Sequence, residues 1–203
     1  LFGKGLVETT DNLGVAGARP THPELLEWLT AAFLDNGGHR KPLLKQIMTS
    51  RVYLQSSSTA PSQTAASEID PDNRLLWRNR LRRLESEIVR DAVLAVSGNF
   101  DPTFGGAPIP VEPRPDGTFV VSDKNLPTPT SQWRRSLYLL ARRNYHPTIL
   151  SVFDQPNLTT NCTGRESSAV VLQSLTMLND RVVLEHAEHL AARVRKVAGS
   201  DTA

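Results

Sequence analysis

Residues 70–98 read DPDNRLLWRNRLRRLESEIVRDAVLAVSG, and this stretch predicts one long central helix, with a break near Asn79 as an alternative. At about 100° per residue its apolar residues share one sector, the width of a stripe that faces a core: Trp77, Leu81, Leu84, Ile88, Ala92, Ala95 and Val96. Gly98 can adopt the left-handed conformation that ends helices at low cost. We therefore predict a mainly α fold, a helical domain whose flanking segments pack around this helix.

Charged residues lie along another flank of the same helix. Arg83, Glu87, Arg90 and Asp91 project from neighbouring positions. Leu94 shares their sector, which indicates that the flank is partly covered and that its charges must pair. Three interpretations stay open: a structural ion-pair network, a solvated face with weak pairs, and a functional site.

Composition excludes several classes of protein. The chain has 203 residues, 39% hydrophobic and 22% charged, as is usual for globular proteins. Its 23 basic and 21 acidic residues give a formal charge of +2, too weak for a dedicated nucleic-acid binder. The single cysteine, Cys162, excludes an internal disulfide, a Cys-rich zinc site and a c-type haem attachment motif. We expect no cofactor in this chain.

The start of the chain does not tell where the parent protein is located. No apolar run approaches the roughly 18 residues of a membrane span, and no signal peptide opens the chain. The first residues, LFGKGLV, lack a start methionine, so we expect a piece of a larger parent protein.

Local signals divide the rest of the chain. Residues 1–20 form an irregular lead-in, residues 21–198 one mainly helical domain, and residues 199–203 a tail. Thr21 and Glu24 form a capping box that opens a first helix, which Asn36-Gly37-Gly38 ends. A second helix covers residues 41–50, and we expect it to pair with the first.

Residues 99–145 predict a proline-rich layer of loops and short strands. Pro115-Asp116-Gly117 followed by TFVV indicates a short hairpin. Residues 136–142, SLYLLAR, predict a strand, and Pro147 then opens a short helix, PTILSVFD.

The last third predicts two helices. Ser167 or Ser168 caps the first of them, and Asn179-Asp180 separates it from a final helix that reaches Val197. We expect the final helix to bury one apolar face, made of Val182, Val183, Ala187, Leu190, Ala191 and Val194.

Catalytic and metal motifs are weak. His186 and His189 are spaced to share a metal, but no third ligand is identifiable, so we expect ordinary surface histidines and no metal site. No G-x-S-x-G elbow occurs, and Cys162 has no catalytic signature around it. Residues 157–159 and 161–163 match the glycosylation acceptor pattern, which indicates a surface loop.

Several motifs in fixed order resemble a known family. They are HPELLEWL at 22–29, DPDNRLLWR at 70–78, RRLESEIVRDAVLAVSG at 82–98, Gly105-Gly106, RRSLYL at 134–139, FDQP at 153–156 and LQSLTMLND at 172–180. They resemble the C-terminal domain of unknown function of large planctomycete proteins that usually carry cytochrome-c-like domains. The resemblance implies an exported multidomain parent and no particular activity. The recurrent polar positions that it implies are Asp70, Asn73, Arg83, Glu87, Arg90, Asp91, Arg135, Tyr138, Arg165 and Asn179.

Two functional hypotheses follow. The first is a noncatalytic extracytoplasmic module that packs on other domains of its parent, binds no nucleic acid and carries no membrane span. The second is part of an active site on a polysaccharide or other polymer, or an accessory to a cytochrome-like electron-transfer domain. The candidate site residues are Arg83, Glu87, Arg90, Asp91, Arg135, Tyr138 and Arg142. An open pocket over them favours the enzyme, and a mutually bonded network favours the module.

Overall fold

The structure of the protein is a computed structural model that describes residues 1–58, 64–142, 145–156, 165 and 168–200. This part of the chain holds seven α-helices and one small two-stranded sheet, which confirms the predicted mainly α fold with a short hairpin. The chain divides into two compact units, Leu1–Arg82 and Arg83–Ala203. The predicted limits of lead-in, domain and tail stay predictions.

The first unit contains the helices α1 (Pro23–Asp35), α2 (Arg40–Met48) and α3 (Thr64–Ile69). The predicted pairing of the first two helices is confirmed, since α1 packs against α2. The apolar face of α1 borders a largely apolar cavity of about 540 Å³ to which Leu25 and Trp28 contribute.

The two ends of α1 differ in how well the sequence predicts them. Asn36 caps the C-terminal end and the following glycines have positive φ, as expected. The capping box predicted at the N-terminal end does not form, because the N-cap residue is His22 and makes no side-chain capping bond. The Thr21 hydroxyl instead bonds the His22 ring and the carbonyl of Leu6, so it is not available to the helix.

The prediction of one long helix over residues 70–98 is wrong for the first half of that stretch, because the helix begins only at Ser86. The Asp70 carboxylate accepts hydrogen bonds from the backbone N–H groups of Arg74 and Leu75, at 2.9 and 2.8 Å. The Asn73 side chain bonds both the N–H and the carbonyl of Arg78. Such side-chain bonds offer the backbone an alternative to helix. They hold residues 70–78 as a compact turn.

The second unit is built around α4 (Ser86–Ser97), the surviving half of the predicted helix. It contacts α5 (Thr148–Val152), α7 (Arg181–Ser200) and a 3₁₀ turn at Ser136–Tyr138. The helix α6 (Val171–Asn179) bridges α5 and α7. Within its own unit, therefore, α4 is the hub.

The predicted orientation of α4 is wrong. Leu84 and Ile88, expected in the core, are 54% and 48% exposed. The buried positions of the helix are Ser86, Arg90, Leu94 and Ser97. The helix turns its polar flank inward, because the residues packed against it accept and donate hydrogen bonds.

The proline-rich layer folds as loops around one hairpin. β1 (Val111–Pro113) pairs antiparallel with β2 (Phe119–Val121), which confirms the predicted turn at residues 115–117. A small apolar core of Ile109, Leu139 and Leu150 lies beside it.

The strand predicted at residues 136–142 is wrong, because residues 136–138 form a 3₁₀ turn and only isolated bridges follow. Leu139 pairs with Ile109 at one such bridge. The apolar alternation of the segment therefore serves a local contact with the core and no extended ladder.

The helices after residue 147 are confirmed, but two of their details are not. Pro147 caps α5, and Asp180 opens α7 by accepting the N–H groups of Val182 and Val183. Ser168 does not cap α6, because it bonds Asp154; Ser167 lies outside the described residues. The apolar face expected for α7 is mostly uncovered: of its residues only Val183 is buried.

Candidate functional site

A buried guanidinium forms the centre of the polar flank. Arg90 is only 7% exposed, and it donates to the carbonyls of Arg134 (3.0 Å) and Gln132 (2.7 Å) and to the Ser136 hydroxyl (3.2 Å). Burial lowers the pKa of Arg90 to about 10, and the nearby Asp91 acts in the opposite direction. Arg90 therefore stays charged at neutral pH, and its N–H groups donate hydrogen bonds to acceptors inside the fold.

Asp91 completes this contact. One of its carboxylate oxygens accepts both the N–H and the hydroxyl of Ser136, each at 2.7 Å. Its other oxygen lies 3.7 Å from Nε of Arg135, a candidate that is more than half exposed. Arg90 and Asp91 together fix the segment that contains residues 132–136 onto α4.

Arg83 anchors a second segment to the start of α4. It donates to the Asp154 carboxylate at 2.6 Å and to the carbonyls of Phe153 (3.1 Å) and Ser168 (3.0 Å). Asp154 also accepts the N–H and hydroxyl of Ser168, and the Ser168 N–H bond is the main reason that the pKa of Asp154 is lowered. These bonds tie the end of α5 to the approach to α6.

A third arginine, which was not among the candidates, organises the loop around Gly105-Gly106. Arg134 is 4% exposed, and it donates to the carbonyls of Thr103, Gly105 and Ala107. Its guanidinium lies 4.0 Å from the centre of the Tyr138 ring. The Tyr138 hydroxyl in turn accepts the N–H of Gly105 at 3.1 Å. A sequence signal existed, because Arg134 adjoins the candidate Arg135 in the RRSLYL motif.

The remaining candidates divide into a paired residue and an unpaired one. Glu87 receives two hydrogen bonds from Arg165, at 2.6 and 2.8 Å, and Arg165 also contacts Glu85 at 3.3 Å. The Arg142 side chain is exposed and has no hydrogen-bond or ion-pair partner among the described residues. Of the other positions implied by the resemblance, Asp70 and Asn73 hold the turn described above, and Asn179 is exposed at the end of α6.

The expectation of surface histidines is wrong for one of the two. His186 is 4% exposed, and its Nδ1 lies 3.1 Å from the Ser97 hydroxyl and 3.1 Å from the Asn99 amide, which also contacts His189. Burial is the main cause that lowers the pKa of His186. Because α7 packs on the buried polar flank of α4, this histidine belongs to the same internal polar layer.

An open groove lies over part of the cluster. It has a volume of about 460 Å³ and is bordered by the candidates Glu87, Asp91 and Arg135, together with Arg165. Arg83, Arg90, Tyr138 and Arg142 do not border it. The structure thus brings three of the seven candidates to the groove, commits three others to internal contacts and leaves Arg142 exposed away from the groove.

The ionisation of Glu87 limits what the groove can do. Hydrogen bonds from Arg165 are the main cause that lowers the pKa of Glu87 from 4.5 to about 2. A carboxyl group that is ionised throughout the physiological range cannot donate a proton as a general acid. Glu87 therefore acts as a fixed acceptor.

Glu87→Gln is expected to change how stability depends on pH. The folded-state pKa lies below the unfolded one, so the ionised carboxylate stabilises the fold fully above about pH 5 and loses this effect as the pH falls from about 4.5 to about 2. Both side chains of the pair are partly exposed, so we expect a loss of about 1 kcal/mol near pH 7. Denaturant unfolding at several pH values measures it.

The matched control is Glu188→Gln, at an exposed position on α7. We expect its difference from wild type to be within about 0.5 kcal/mol and flat with pH. A difference for Glu87→Gln that did not shrink toward acid would contradict the pairing with Arg165.

The remaining features of the sequence concern metal ligands, membrane spans and the region around Cys162. Among the described residues, no group of three or more His, Cys, Asp or Glu side chains is placed to hold a metal ion. No described helix combines the length and the apolar composition needed to cross a bilayer. Cys162 and the acceptor patterns at residues 157–159 and 161–163 lie outside the described residues.

Comparison with known proteins matches the chain to a protein family. The family model described as "PSD1: Protein of unknown function (DUF1553)" covers residues 1–202. No curated protein and no solved structure shows significant similarity to the chain.

Proposed function

The chain belongs to the PSD1 family (DUF1553), and we propose that it is a noncatalytic interaction module of an exported, multidomain bacterial protein. Its partners are other domains of the same parent, which bind the second unit on the exposed faces of its helices. The extracytoplasmic location and the origin among planctomycetes and related bacteria are part of this proposal. They are supported by the motifs quoted above, such as HPELLEWL at residues 22–29.

The observation that carries the proposal is that three helices of the second unit bury polar residues while most of their large apolar residues are exposed. α6 buries Gln173, and all of its large apolar residues are at least partly exposed, among them Leu172 (56%), Leu175 (48%) and Leu178 (68%). On α4, Ile88 and Val96 face outward while Arg90 is inside. On α7, Leu190, Val194 and Val197 are exposed while His186 is buried. Amphipathic helices place their apolar side against a partner, so the exposed apolar faces of α4, α6 and α7 are surfaces on which another domain can bind.

The C-terminal end of α4 contacts α7 through an arginine. Arg193 of α7 donates to the carbonyls of Ala95 and Val96, at 3.4 and 3.0 Å. Val194 follows directly in α7, so apolar residues of both helices lie at the same end of the unit. Large exposed apolar surfaces of this kind mark interaction sites in folded proteins.

The polar network supports this role by making the helices rigid. Among the described residues, six hydrophobic and twelve polar or charged residues are buried. The buried guanidiniums of Arg90 and Arg134 hold the unit together through hydrogen bonds to backbone carbonyls. A fold that is held internally by polar contacts can leave its apolar helix faces for a partner.

The catalytic alternative, an active site on an extracellular polymer, finds less support. It needs a proton donor or an activated nucleophile near the groove. Glu87 is ionised and held by Arg165, and Asp91 is committed to Ser136. His146 also borders the groove, but its Nε2 has no hydrogen-bonded carboxylate to activate it among the described residues. In the accessory role, electron transfer would take place in a neighbouring cytochrome-like domain. The docking surface described above supports this role as well.

The proposal is tested by binding in trans between this chain and the remaining domains of its parent. We expect Ile88→Glu and Val194→Glu each to weaken the complex at least tenfold, since each places a charge in an apolar interface. Calorimetry or co-elution measures the affinity, and circular dichroism checks that the variants fold.

Val15→Glu is the matched control, because Val15 is fully exposed and lies in the first unit. It should bind as wild type does. Absence of any association, or equal affinity for all four proteins, would overturn the docking role.

A further inference from the structure

Two residues that border the groove each carry a polar atom whose hydrogen-bonding capacity is unused. Nε2 of His146 and Oε1 of Gln155 are both buried and have no hydrogen-bond partner in the part of the chain that the structure describes. Both residues border the same 460 Å³ groove. His146 as a whole is 7% exposed. Buried polar atoms in proteins nearly always have partners, so two exceptions in one cavity indicate a ligand.

These two residues flank the short helix α5. His146 precedes the N-cap residue Pro147, and Gln155 follows the end of the helix, where its N–H bonds the carbonyl of Leu150. The backbone at both positions is therefore fixed by the helix, and the groove runs past both ends of it. A site on rigid elements can hold two polar groups in constant geometry.

The unused atoms specify the chemistry of the ligand. The Gln155 oxygen can only accept a hydrogen bond, whereas Nε2 of a neutral histidine donates or accepts according to its tautomer. A hydroxyl group does both, so it satisfies either tautomer and also the amide oxygen. A molecule with several hydroxyl groups can therefore fill both places at once.

The rest of the lining favours an uncharged ligand over an anionic one. Three carboxylates, those of Glu85, Glu87 and Asp91, face two guanidiniums, those of Arg135 and Arg165. This near balance gives no net attraction for anions. Apolar residues complete the wall and suit the C–H faces of a ring: Leu137, Leu139, Leu140, Pro147 and Leu150. The volume lies within the range of roughly 300–1,000 Å³ that is usual for small-ligand sites.

We infer that this groove is a binding site for a neutral, hydroxyl-rich ligand of the size of one or two sugar rings, held by Nε2 of His146 and Oε1 of Gln155. The site requires no catalytic step, and it adjoins the exposed apolar face of α4, since Ile88 also borders the groove. Asp91 and Arg135 at the groove supply further acceptors and donors for hydroxyl groups.

The test uses the whole chain with D-glucose and cellobiose as probes, and saturation-transfer NMR with titration as the measurement. We expect binding of at least one of the two sugars. Gln155→Met and His146→Leu should each weaken it about tenfold, the effect of one lost hydrogen bond. Both variants should keep or raise the melting temperature without ligand, because each removes a buried polar atom that has no partner.

Gln55→Met is the control, since Gln55 is exposed and lies in the first unit. It should bind the sugars as wild type does. Citrate and glycylglycinamide serve as anionic and peptide-like probes. Failure of both sugars to bind, binding that survives both substitutions in the groove, or a preference for either of the other probes would overturn the inference.

Discussion

Arg90→Leu is expected to destabilise the second unit by about 3–5 kcal/mol, the usual result of removing one partner from a buried charged network. The guanidinium is 7% exposed and bonds the carbonyls of Gln132 and Arg134. Leucine fills part of the space but leaves these carbonyls and the Ser136 hydroxyl without their donor, and Asp91 without its neighbouring positive charge. Native-state hydrogen exchange of the amides of α4 measures the loss, because it reports on this unit separately from the first.

Two further variants show whether geometry or charge is responsible. Arg90→Lys keeps the positive charge, but an ammonium group cannot donate to all three acceptors as the planar guanidinium does. We expect it to lose more than half of the stability that Arg90→Leu loses. Arg142→Leu is the control, since Arg142 is exposed and unpaired, and its effect should be within about 0.5 kcal/mol. Equal effects at positions 90 and 142 would contradict the buried network.

Arg134→Ala is expected to cost about 2–4 kcal/mol. Its guanidinium donates to three loop carbonyls, those of Thr103, Gly105 and Ala107, and stacks on Tyr138. Hydrogen bonds from charged donors contribute about 1.5–3 kcal/mol each, and part of this is recovered by water entering the loop. Hydrogen exchange should accelerate first at residues 103–107, and thermal unfolding gives the total.

The adjacent arginine provides a control in the same segment. Arg135 is 58% exposed on its side chain and touches Asp91 only at 3.7 Å, so Arg135→Ala should cost less than about 1 kcal/mol. If the two substitutions had the same effect, the special role of Arg134 in ordering the loop would be wrong.

The sequence predicted well where a signal acts locally. The glycines after Asn36, the turn at Pro115-Asp116-Gly117 and Pro147 before α5 each act through their own backbone preferences, and the structure places the expected turn or helix end at each. The pairing of charges on α4 was also foreseen as one of three interpretations.

Periodicity failed where side chains compete for the backbone or where the buried side is polar. Asp70 and Asn73 bind neighbouring N–H groups and stop the helix, although the apolar spacing continues past them. On α4 the periodic stripe is real, but Ile88 faces outward because Arg90 and its hydrogen bonds occupy the interior. A hydrophobic pattern identifies the apolar side of a helix and not what covers it.

Part of the candidate site could not be read from the sequence. Arg165 and Asp154, the partners of Glu87 and Arg83, lie more than 70 residues away along the chain. No local spacing links such pairs, and the two unpartnered atoms at His146 and Gln155 carry no motif at all.

The most direct measurement compares thiol labelling at two positions of α4, in a background where Cys162 is replaced by serine. In the isolated chain we expect Ile88→Cys to react rapidly and Leu94→Cys, at a 2% exposed position, to react only on unfolding. In the full parent protein Ile88→Cys should become protected by the docked domain, while Leu94→Cys stays protected. An Ile88→Cys thiol that is shielded in the isolated chain, or that reacts at the same rate in the parent, would contradict an outward apolar face that docks onto a partner.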